Sequence, residues 1–174
     1  MRTLQDTVVG AHPPMADSKA ATDLLAQATA LLARSQTDEV GQIAGKLFDV
    51  PSRGQPLIPA LHYDVTGPDL VSGTVTFGRY YLGGGGAAHG GSLPLLFDEA
   101  LGMLSGAGGR PLSRTAYLKV NYRMITPLDR ELRFTGAVEK SEGRKLFVSG
   151  TLTDGDDLLA DAEALFVALK PGQP

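Results

Sequence analysis

The chain has 174 residues, of which 43% are hydrophobic, and its formal net charge at pH 7 is −3. This length suits one globular domain with a buried core and is short for two. A mildly acidic chain without dense runs of Lys or Arg argues against a nucleic-acid surface, which usually carries a basic stripe. The sequence contains no cysteine, which excludes a disulfide scaffold, thiolate zinc sites and cysteine nucleophiles.

Metal binding and membrane association are not predicted either. The three histidines, His12, His62 and His89, are not at metal-ligand spacing. No charged start followed by an apolar stretch marks a signal peptide, and no apolar run is long enough to span a bilayer. We therefore expect a cytoplasmic protein with no membrane contact, no metal and no cofactor.

The first 56 residues are predicted to form an extension to the main domain. Residues 1–16 contain Gly10, Pro13 and Pro14 and show little periodicity, which indicates a mobile arm. A helix is predicted from Asp17 onwards, because an apolar stripe then recurs at helical spacing: Leu24, Leu25, Ala28, Leu31 and Leu32. A weaker helix is predicted over residues 38–47, and the prolines of residues 51–59 indicate a linker.

Residues 57–170 have the pattern of one α+β domain, with a short tail at residues 171–174. Two strands are predicted near residues 61–65 and 71–77, then a glycine-rich stretch at 83–91 and an apolar helix at 92–107. A long half-buried strand follows, in which Ala116 and Leu118 alternate with Thr115 and Tyr117, and three more strands lie near residues 132–138, 146–152 and 160–168.

The connections and the helix together predict the architecture. Short links between the last four strands indicate an antiparallel meander, and a helix that is apolar nearly all round must be wrapped rather than packed on one side. The alanines of the last strand suggest that a buried helix approaches it closely. We therefore predict a curved antiparallel sheet of five or six strands around a central helix.

Two adjacent acids, Asp98 and Glu99, are the only charged residues of this apolar helix. Burying an unpaired carboxylate costs several kcal/mol, so we expect each acid to have a partner or a use. One of them could simply face solvent or pair with an arginine: Arg110, Arg114 or Arg123. Adjacent helix positions differ by about 100° in direction, so only one acid can face the loop before the helix. The spacing selects Asp98, which leaves Glu99 as a structural ion-pair partner.

The glycine-rich stretch before the helix is a candidate for binding a carbonyl oxygen. Glycines let backbone N–H groups approach a ligand closely, and a helix N-terminus presents unpaired N–H donors with a partial positive charge. Such groups can stabilise a developing oxyanion. The stretch could equally be a flexible loop, and a single His89 could be a structural hydrogen-bonding residue.

The combination of these features is more specific than any one of them. The segment His89-Gly90-Gly91, an acid nine positions after the histidine on an apolar helix, and a strand beginning at Thr115 follow one another. Over roughly residues 57–170 this order resembles the PaaI-like acyl-CoA thioesterases of the hotdog-fold superfamily. The resemblance implies a hotdog fold with an N-terminal helical extension, and hydrolysis of an acyl-CoA thioester to a free acid and CoA.

The resemblance also implies roles for individual residues. The acid Asp98 would activate water or attack the thioester directly. Backbone N–H groups of Gly90 and Gly91 would polarise the carbonyl, His89 would help to place the thioester, and the hydroxyl of Thr115 would orient the water. Many relatives carry Asn or Gln about six positions before the histidine, where this chain has only glycine and alanine nearby.

Substrate and partners follow from the same interpretation. Acyl-CoA phosphates need cations, and Lys119 and Arg123 lie on the polar face of the long strand, although a solvated strand face explains them as well. A single hotdog leaves sheet edges unpaired, so we expect a homodimer or a homotetramer. The alternatives are a hotdog dehydratase or hydratase, a non-enzymatic acyl-CoA binding module, and a structural domain without a ligand.

Overall fold

The computed structural model describes residues 1–173. The last residue of the predicted tail, residue 174, lies outside the described residues. Three α-helices are present: α1 (Arg2–Gly10), α2 (Met15–Ala33) and α3 (Ser92–Gly106). The strands are β1 (Ala60–Thr66), β2 (Leu70–Thr76), β3 (Leu82–Gly84), β4 (Ala87–Ala88), β5 (Ser113–Tyr122), β6 (Glu131–Glu142), β7 (Lys145–Asp154) and β8 (Asp157–Ala168). No helix among residues 1–173 is long and apolar enough to cross a membrane.

Six of the strands form one antiparallel sheet in the order β1-β2-β6-β7-β8-β5, and β3 pairs with β4 in a separate hairpin. The predicted antiparallel sheet of five or six strands is therefore confirmed. Strand β5 follows α3 in the chain but pairs with the last strand, so it lies at one edge of the sheet. The only neighbour of β5 within the described sheet is β8.

The helix α3 packs on the inner face of the sheet and contacts all six strands. Its inward residues are almost fully buried: Leu93, Leu96, Phe97, Ala100, Leu101 and Leu104. Small residues of the sheet make room for it, because a Cβ atom at Gly136 would lie 2.7 Å from Leu101 Cδ2. The alanines of β8 at positions 160, 162 and 164 are buried as well, which confirms the expected close approach of the helix.

The N-terminal extension differs from the prediction in two places. Residues 1–16 were expected to be an arm without structure, but α1 occupies most of them and is fixed to the domain: Arg2 Nη1 donates to Ile58 O at 2.8 Å, and Tyr80 N donates to Asp6 Oδ1 at 2.7 Å. The predicted helix over residues 38–47 is wrong, since this segment forms turns. There the Asp38 side chain accepts the N–H of Gly41 at 2.8 Å, as an N-cap would, but Gly41 is a poor helix former and Gly45 has a φ of 88°, which ends any helical turn.

The helix predicted from Asp17 is confirmed as α2, which begins at Met15, but none of its residues is buried. Its apolar stripe, including Leu24 and Leu31, is exposed in the single chain. Periodicity therefore identified the helix correctly, while the stripe has no packing partner within residues 1–173.

Candidate functional site

The glycine-rich stretch forms the hairpin β3–β4 and leads into His89. The hairpin is tied to the domain because Ala88 N donates to Thr126 O at 2.9 Å and His89 N donates to Tyr81 O at 2.6 Å. A Cβ atom at Gly83 would lie 2.7 Å from His89 Cα, so no side chain fits there. Gly83 lies six positions before His89, about where the resemblance would place an amide side chain, and the close approach of the backbone excludes one in this chain.

The start of α3 presents two glycine N–H groups in different states. Ser92 Oγ and Ser92 N both donate to His89 O, at 2.7 and 2.8 Å, which fixes the turn. The Gly91 N–H donates to His89 Nδ1 at 2.9 Å, which leaves the ring N–H at Nε2. The Gly90 N–H has no hydrogen-bond acceptor among the described residues. Gly90 is thus free to donate to a ligand, whereas Gly91 would first have to release the imidazole.

Asp98 lies in the middle of α3, on the side of the helix that contacts Thr115 of β5. Thr115 Oγ1 donates to Asp98 Oδ1 at 2.8 Å, and both residues are exposed in the single chain. Asp98 is seven residues after Gly91, which is roughly 10 Å along the helix axis, and side chains tilt towards the N-terminus of a helix. The other carboxylate oxygen, Oδ2, accepts no hydrogen bond within residues 1–173. One oxygen is therefore held and the other is available to water or substrate.

A β-bulge at Ala116 makes the contact between Thr115 and Asp98 possible. Strict alternation would have placed Thr115 and Leu118 on opposite faces of β5. Instead Thr115 pairs with Phe166 and Leu118 pairs with Ala164, and both partners face the buried inner side, while Ala116 has no partner. The extra residue turns Thr115 inwards, as bulges beside functional sites often do. The predicted alternation is therefore wrong at this point, although the pairing of Thr115 with Asp98 agrees with the role inferred from the resemblance.

Glu99 forms an ion pair with Arg53 and takes no part in the contact between Asp98 and Thr115. Arg53 Nη2 and Nε contact Glu99 Oε1 at 2.7 and 2.9 Å, and the Glu99 side chain is only 10% exposed. The structural role expected for Glu99 agrees with this contact. The candidate partners were wrong, because neither acid forms an ion pair with Arg110, Arg114 or Arg123 in the described structure.

Arg53 was missed by the sequence analysis because it lies in a turn of the extension, 46 residues before Glu99. In this turn Ser52 and Arg53 have φ angles of 52° and 54°, a left-handed conformation that costs non-glycine residues of the order of 1–3 kcal/mol each. The buried Ser52 hydroxyl holds the turn, since it donates to Pro59 O and accepts the N–H of Leu61. No local pattern in the sequence indicates such a turn.

A buried hydroxyl lies close to this ion pair. The Tyr63 hydroxyl is inaccessible and has no hydrogen-bond partner within the described chain, while its ring packs edge-to-face on Phe134. Burial raises the pKa of Tyr63 well above its usual range, the Glu99 carboxylate raises it further, and Arg53 acts in the opposite direction. Tyr63 is therefore a neutral residue at physiological pH and not a source of protons.

Lys119 and Arg123 lie on the outer face of the sheet. Lys119 Nζ is 3.6 Å from Glu163, and Arg123 Nε donates to Asp161 Oδ2 at 2.5 Å. The hydrogen bond from Arg123 lowers the pKa of Asp161, with a further contribution from Asn121. The structure therefore does not bring either cation together with Asp98 and Thr115, which face the inner side. No group of three or more potential metal ligands occurs within residues 1–173.

Residues 85–160 match the family model of the thioesterase superfamily. Over 99 residues the chain is 36% identical to acyl-coenzyme A thioesterase THEM4 of Rattus norvegicus, a match that covers 56% of this chain and 42% of that protein. The chain thus spans less than half the length of this curated relative.

Solved structures of thioesterases have the same fold as this chain. The crystal structure of RHA08564, a thioesterase superfamily protein, superposes with a TM-score of 0.79 at 26% identity and covers 95% of this chain and 86% of its own. The E. coli PaaI protein from the phenylacetic acid degradation operon superposes with a TM-score of 0.58 at 15% identity, over 62% of this chain and 82% of its own. The PaaI likeness shows the fold alone.

Proposed function

We propose that this chain, which has the hotdog fold, belongs to the thioesterase superfamily and hydrolyses acyl-CoA thioesters to a free acid and CoA. The observation that carries the proposal is the contact of 2.8 Å between Thr115 Oγ1 and Asp98 Oδ1. It orients a carboxylate on the helix that directly follows the free N–H of Gly90 in the loop before the N-cap. A base and an oxyanion donor on one rigid element are what acyl transfer to water needs.

In the proposed reaction Asp98 acts through Oδ2. It accepts a proton from a water molecule that attacks the thioester carbonyl, or it attacks that carbonyl itself and is regenerated by water. Thr115 holds Oδ1 by its hydroxyl and fixes the direction in which Oδ2 points. Both routes end with cleavage of the carbon–sulfur bond, a protonated CoA thiol and a free carboxylic acid.

The helix start supplies the electrostatic part of catalysis. We assign the first oxyanion donor to Gly90, whose N–H is unpartnered among the described residues, and the second to Gly91, which would exchange the His89 ring for the substrate oxygen. His89 then has a positioning role, because its Nε2–H can face the thioester once Nδ1 is released. The partial positive charge of the α3 N-terminus strengthens both donors.

Binding of the CoA phosphates is assigned to Lys119 or Arg123. Both are exposed cations, each bound to a carboxylate on the outer face of the sheet. Pairs of this kind on a protein surface contribute little to stability, so a phosphate could replace the carboxylate at small cost. Kinetic analysis of the two alanine variants, described in the Discussion, tests this assignment.

We further propose that the working unit is a homodimer or a homotetramer. Asp98 and Thr115 are exposed in the single chain, whereas hydrolysis of a thioester is favoured by a site that excludes bulk water. The open edge strand β5 and the loop after it carry exposed apolar side chains, among them Tyr117, Tyr122 and Ile125, and unpaired edges favour pairing with another chain. A monomer in light scattering at micromolar concentration would contradict this assembly.

The same proposal covers the organisation and location of the protein. We assign residues 57–170 to the thioesterase domain, residues 1–56 to an extension that contributes Arg53 to the helix, and residues 171–174 to a tail. A cytoplasmic location agrees with a chain that has no cysteine. Cell fractionation with an antibody against the protein tests the location.

The experiment that tests the function is thiol release by the purified protein from a panel of short, medium, long and aromatic acyl-CoAs. We expect saturable release of CoA from at least one class. Conversion to an enoyl-CoA or 3-hydroxyacyl-CoA without free thiol would favour the dehydratase or hydratase reading. Saturable binding without any release would favour a non-enzymatic binding module.

A further inference from the structure

A small cavity lies between the end of α3, the start of β5 and the β6–β7 hairpin. Its volume is about 80 Å³, which equals two or three water molecules and is enough for a carboxylate. Leu146 and Phe166 form its apolar floor, and three serine hydroxyls surround it: Ser105, Ser113 and Ser141. None of these residues takes part in the hydrolytic arrangement described above.

Two of the three hydroxyls form no hydrogen bond within the described residues. Ser113 Oγ is fully inaccessible and has no hydrogen-bond partner in the described chain, which is rare for a buried polar atom and calls for a missing partner. Ser141 also forms no side-chain hydrogen bond among residues 1–173, and Ser105 donates to Gly102 O at 2.8 Å but can still accept. Two hydroxyl donors therefore remain free beside the cavity for a ligand that carries oxygen acceptors, the exposed Ser141 and the buried Ser113.

One cation at the hairpin, Arg144, gives the cavity a positive charge. Arg144 Nη1 donates to the Ala168 carbonyl at 2.7 Å, and within the described residues neither Arg144 nor Lys145 forms an ion pair with a carboxylate. Glu142, which is opposite Lys145 in the strand pair, contacts Lys140 on the outer face at 3.0 Å instead. The charge of Arg144 is thus available to an anion in the cavity, whereas Lys145 alternates with the inward Leu146 and its side chain belongs to the outer face.

The remaining charges near the cavity cancel. Arg110 also lines it, but this guanidinium is neutralised by Asp69 at 2.6 Å. It also donates to the carbonyls of Leu104 and Ala107, at 3.1 and 3.4 Å, and so neutralises the negative end of α3 that would otherwise repel an anion. Hydroxyl donors and an uncompensated guanidinium around a small cavity are what an oxyanion requires.

The distance from the cavity to Asp98 restricts the identity of this anion. Ser113 and Thr115 point to the same inner face and are two residues apart on β5, which is roughly 7 Å. Ser105 is seven residues after Asp98 on α3, which is roughly 10 Å along the same helix face. The distance from a thioester carbonyl bound at Asp98 to the cavity is therefore about 7–10 Å.

Resting on the proposed function, we propose that this cavity binds a carboxylate at the far end of the acyl group, so that the preferred substrates are dicarboxylic acyl-CoA thioesters. An extended chain advances roughly 1.2 Å per single bond, so the distance corresponds to about six to eight bonds and an acyl group of about seven to nine carbons. The diphosphate of CoA does not fit this distance, because it is separated from the sulfur by about thirteen bonds, roughly 15 Å when extended.

The test compares octanedioyl-CoA with octanoyl-CoA, which have the same length and differ in the terminal carboxylate. We expect the wild-type protein to have a higher kcat/KM for octanedioyl-CoA, mainly through a lower KM. Arg144→Gln and Ser113→Ala should each lower the ratio of the two kcat/KM values by roughly tenfold, as expected for loss of a hydrogen bond to a charged group. Lys140→Gln removes a cation from the outer face of the same hairpin and should change this ratio by less than about twofold.

Each outcome separates the possible uses of the cavity. If wild-type protein hydrolyses octanoyl-CoA as efficiently as octanedioyl-CoA, the carboxylate assignment is overturned while the hydrolytic function stands. If Arg144→Gln raises KM for both substrates equally, the cation serves a CoA phosphate and the assignment is also overturned. If neither substrate nor any other acyl-CoA is hydrolysed, the proposed function itself fails, and the substrate class with it.

Discussion

Replacement of Asp98 by asparagine is the most informative single change in this protein. The amide oxygen of Asp98→Asn can still accept the Thr115 hydroxyl, which now contacts Asp98 Oδ1 at 2.8 Å, so the geometry should be kept. The amide cannot accept a proton from water or attack a carbonyl. We expect kcat to fall by roughly 10²–10⁴-fold, which is about 3–5 kcal/mol of transition-state stabilisation. Because Asp98 is exposed, the free energy of unfolding should change by less than about 0.5 kcal/mol.

The neighbouring acid provides a matched control. Glu99→Gln breaks the ion pair with Arg53, in which the Glu99 side chain is 10% and the Arg53 side chain 29% exposed. Breaking a fully buried pair costs about 3–5 kcal/mol, and the partial exposure of Arg53 reduces this to about 1–2 kcal/mol, or roughly 2–8 °C in Tm. We therefore expect Glu99→Gln to lose stability and keep activity, and Asp98→Asn to do the reverse. Thiol-release kinetics and thermal unfolding measure both, and loss of activity in Glu99→Gln alone would refute the reasoning.

Three further predictions concern the surroundings of this helix. Thr115→Ala should lower kcat roughly tenfold with little change in KM, and Thr115→Ser should restore most of it, because the hydroxyl that orients Asp98 returns; equal kcat in all three proteins would contradict the role. Lys119→Ala and Arg123→Ala should raise KM for acyl-CoA several-fold at constant kcat, and unchanged KM values would exclude both from phosphate binding. Tyr63→Phe removes a hydroxyl without a partner in the described chain, so denaturant unfolding near pH 7 should show equal or higher stability. Burial raises the pKa of Tyr63 above that of an unfolded tyrosine, so the stability that the neutral hydroxyl supports is complete below about pH 10 and is lost as the pH rises further. The free energy of unfolding of Tyr63→Phe should therefore fall less than that of the wild type above pH 10. Identical dependence of the unfolding free energy on alkaline pH in the two proteins would refute this.

The regular elements of the domain could be predicted because they depend on local periodicity. The helix α3 and the strands around it follow from apolar spacing that each segment carries in itself. The candidate roles of His89, Gly90, Gly91 and Asp98 came from the resemblance, and they stay predictions. Thr115 was proposed from the resemblance, and the structure brings it to Asp98 by a bulge that alternation alone did not indicate.

The elements that could not be predicted depend on contacts between distant segments. Arg53 reaches Glu99 across 46 residues, and it does so from a strained turn that only the buried Ser52 hydroxyl explains. Likewise, Lys119 lies on the polar face of β5 as predicted, whereas Arg123 lies just after the end of β5 and not on it. Their carboxylate partners on β8 follow from the strand order and not from the pattern of β5. Register and strand order are properties of the whole sheet.

The central claim is that Asp98 directs water to the carbonyl of an acyl-CoA, and product analysis tests it most directly. Purified wild-type protein and Asp98→Asn are incubated with the best acyl-CoA of the panel in water enriched in oxygen-18, and products are identified by mass spectrometry. We predict that the wild type forms free CoA and free acid in equal amounts, with the heavy oxygen in the acid, and that Asp98→Asn forms almost none. Intact acyl-CoA after binding, conversion without free CoA, or equal turnover by both proteins would contradict the account.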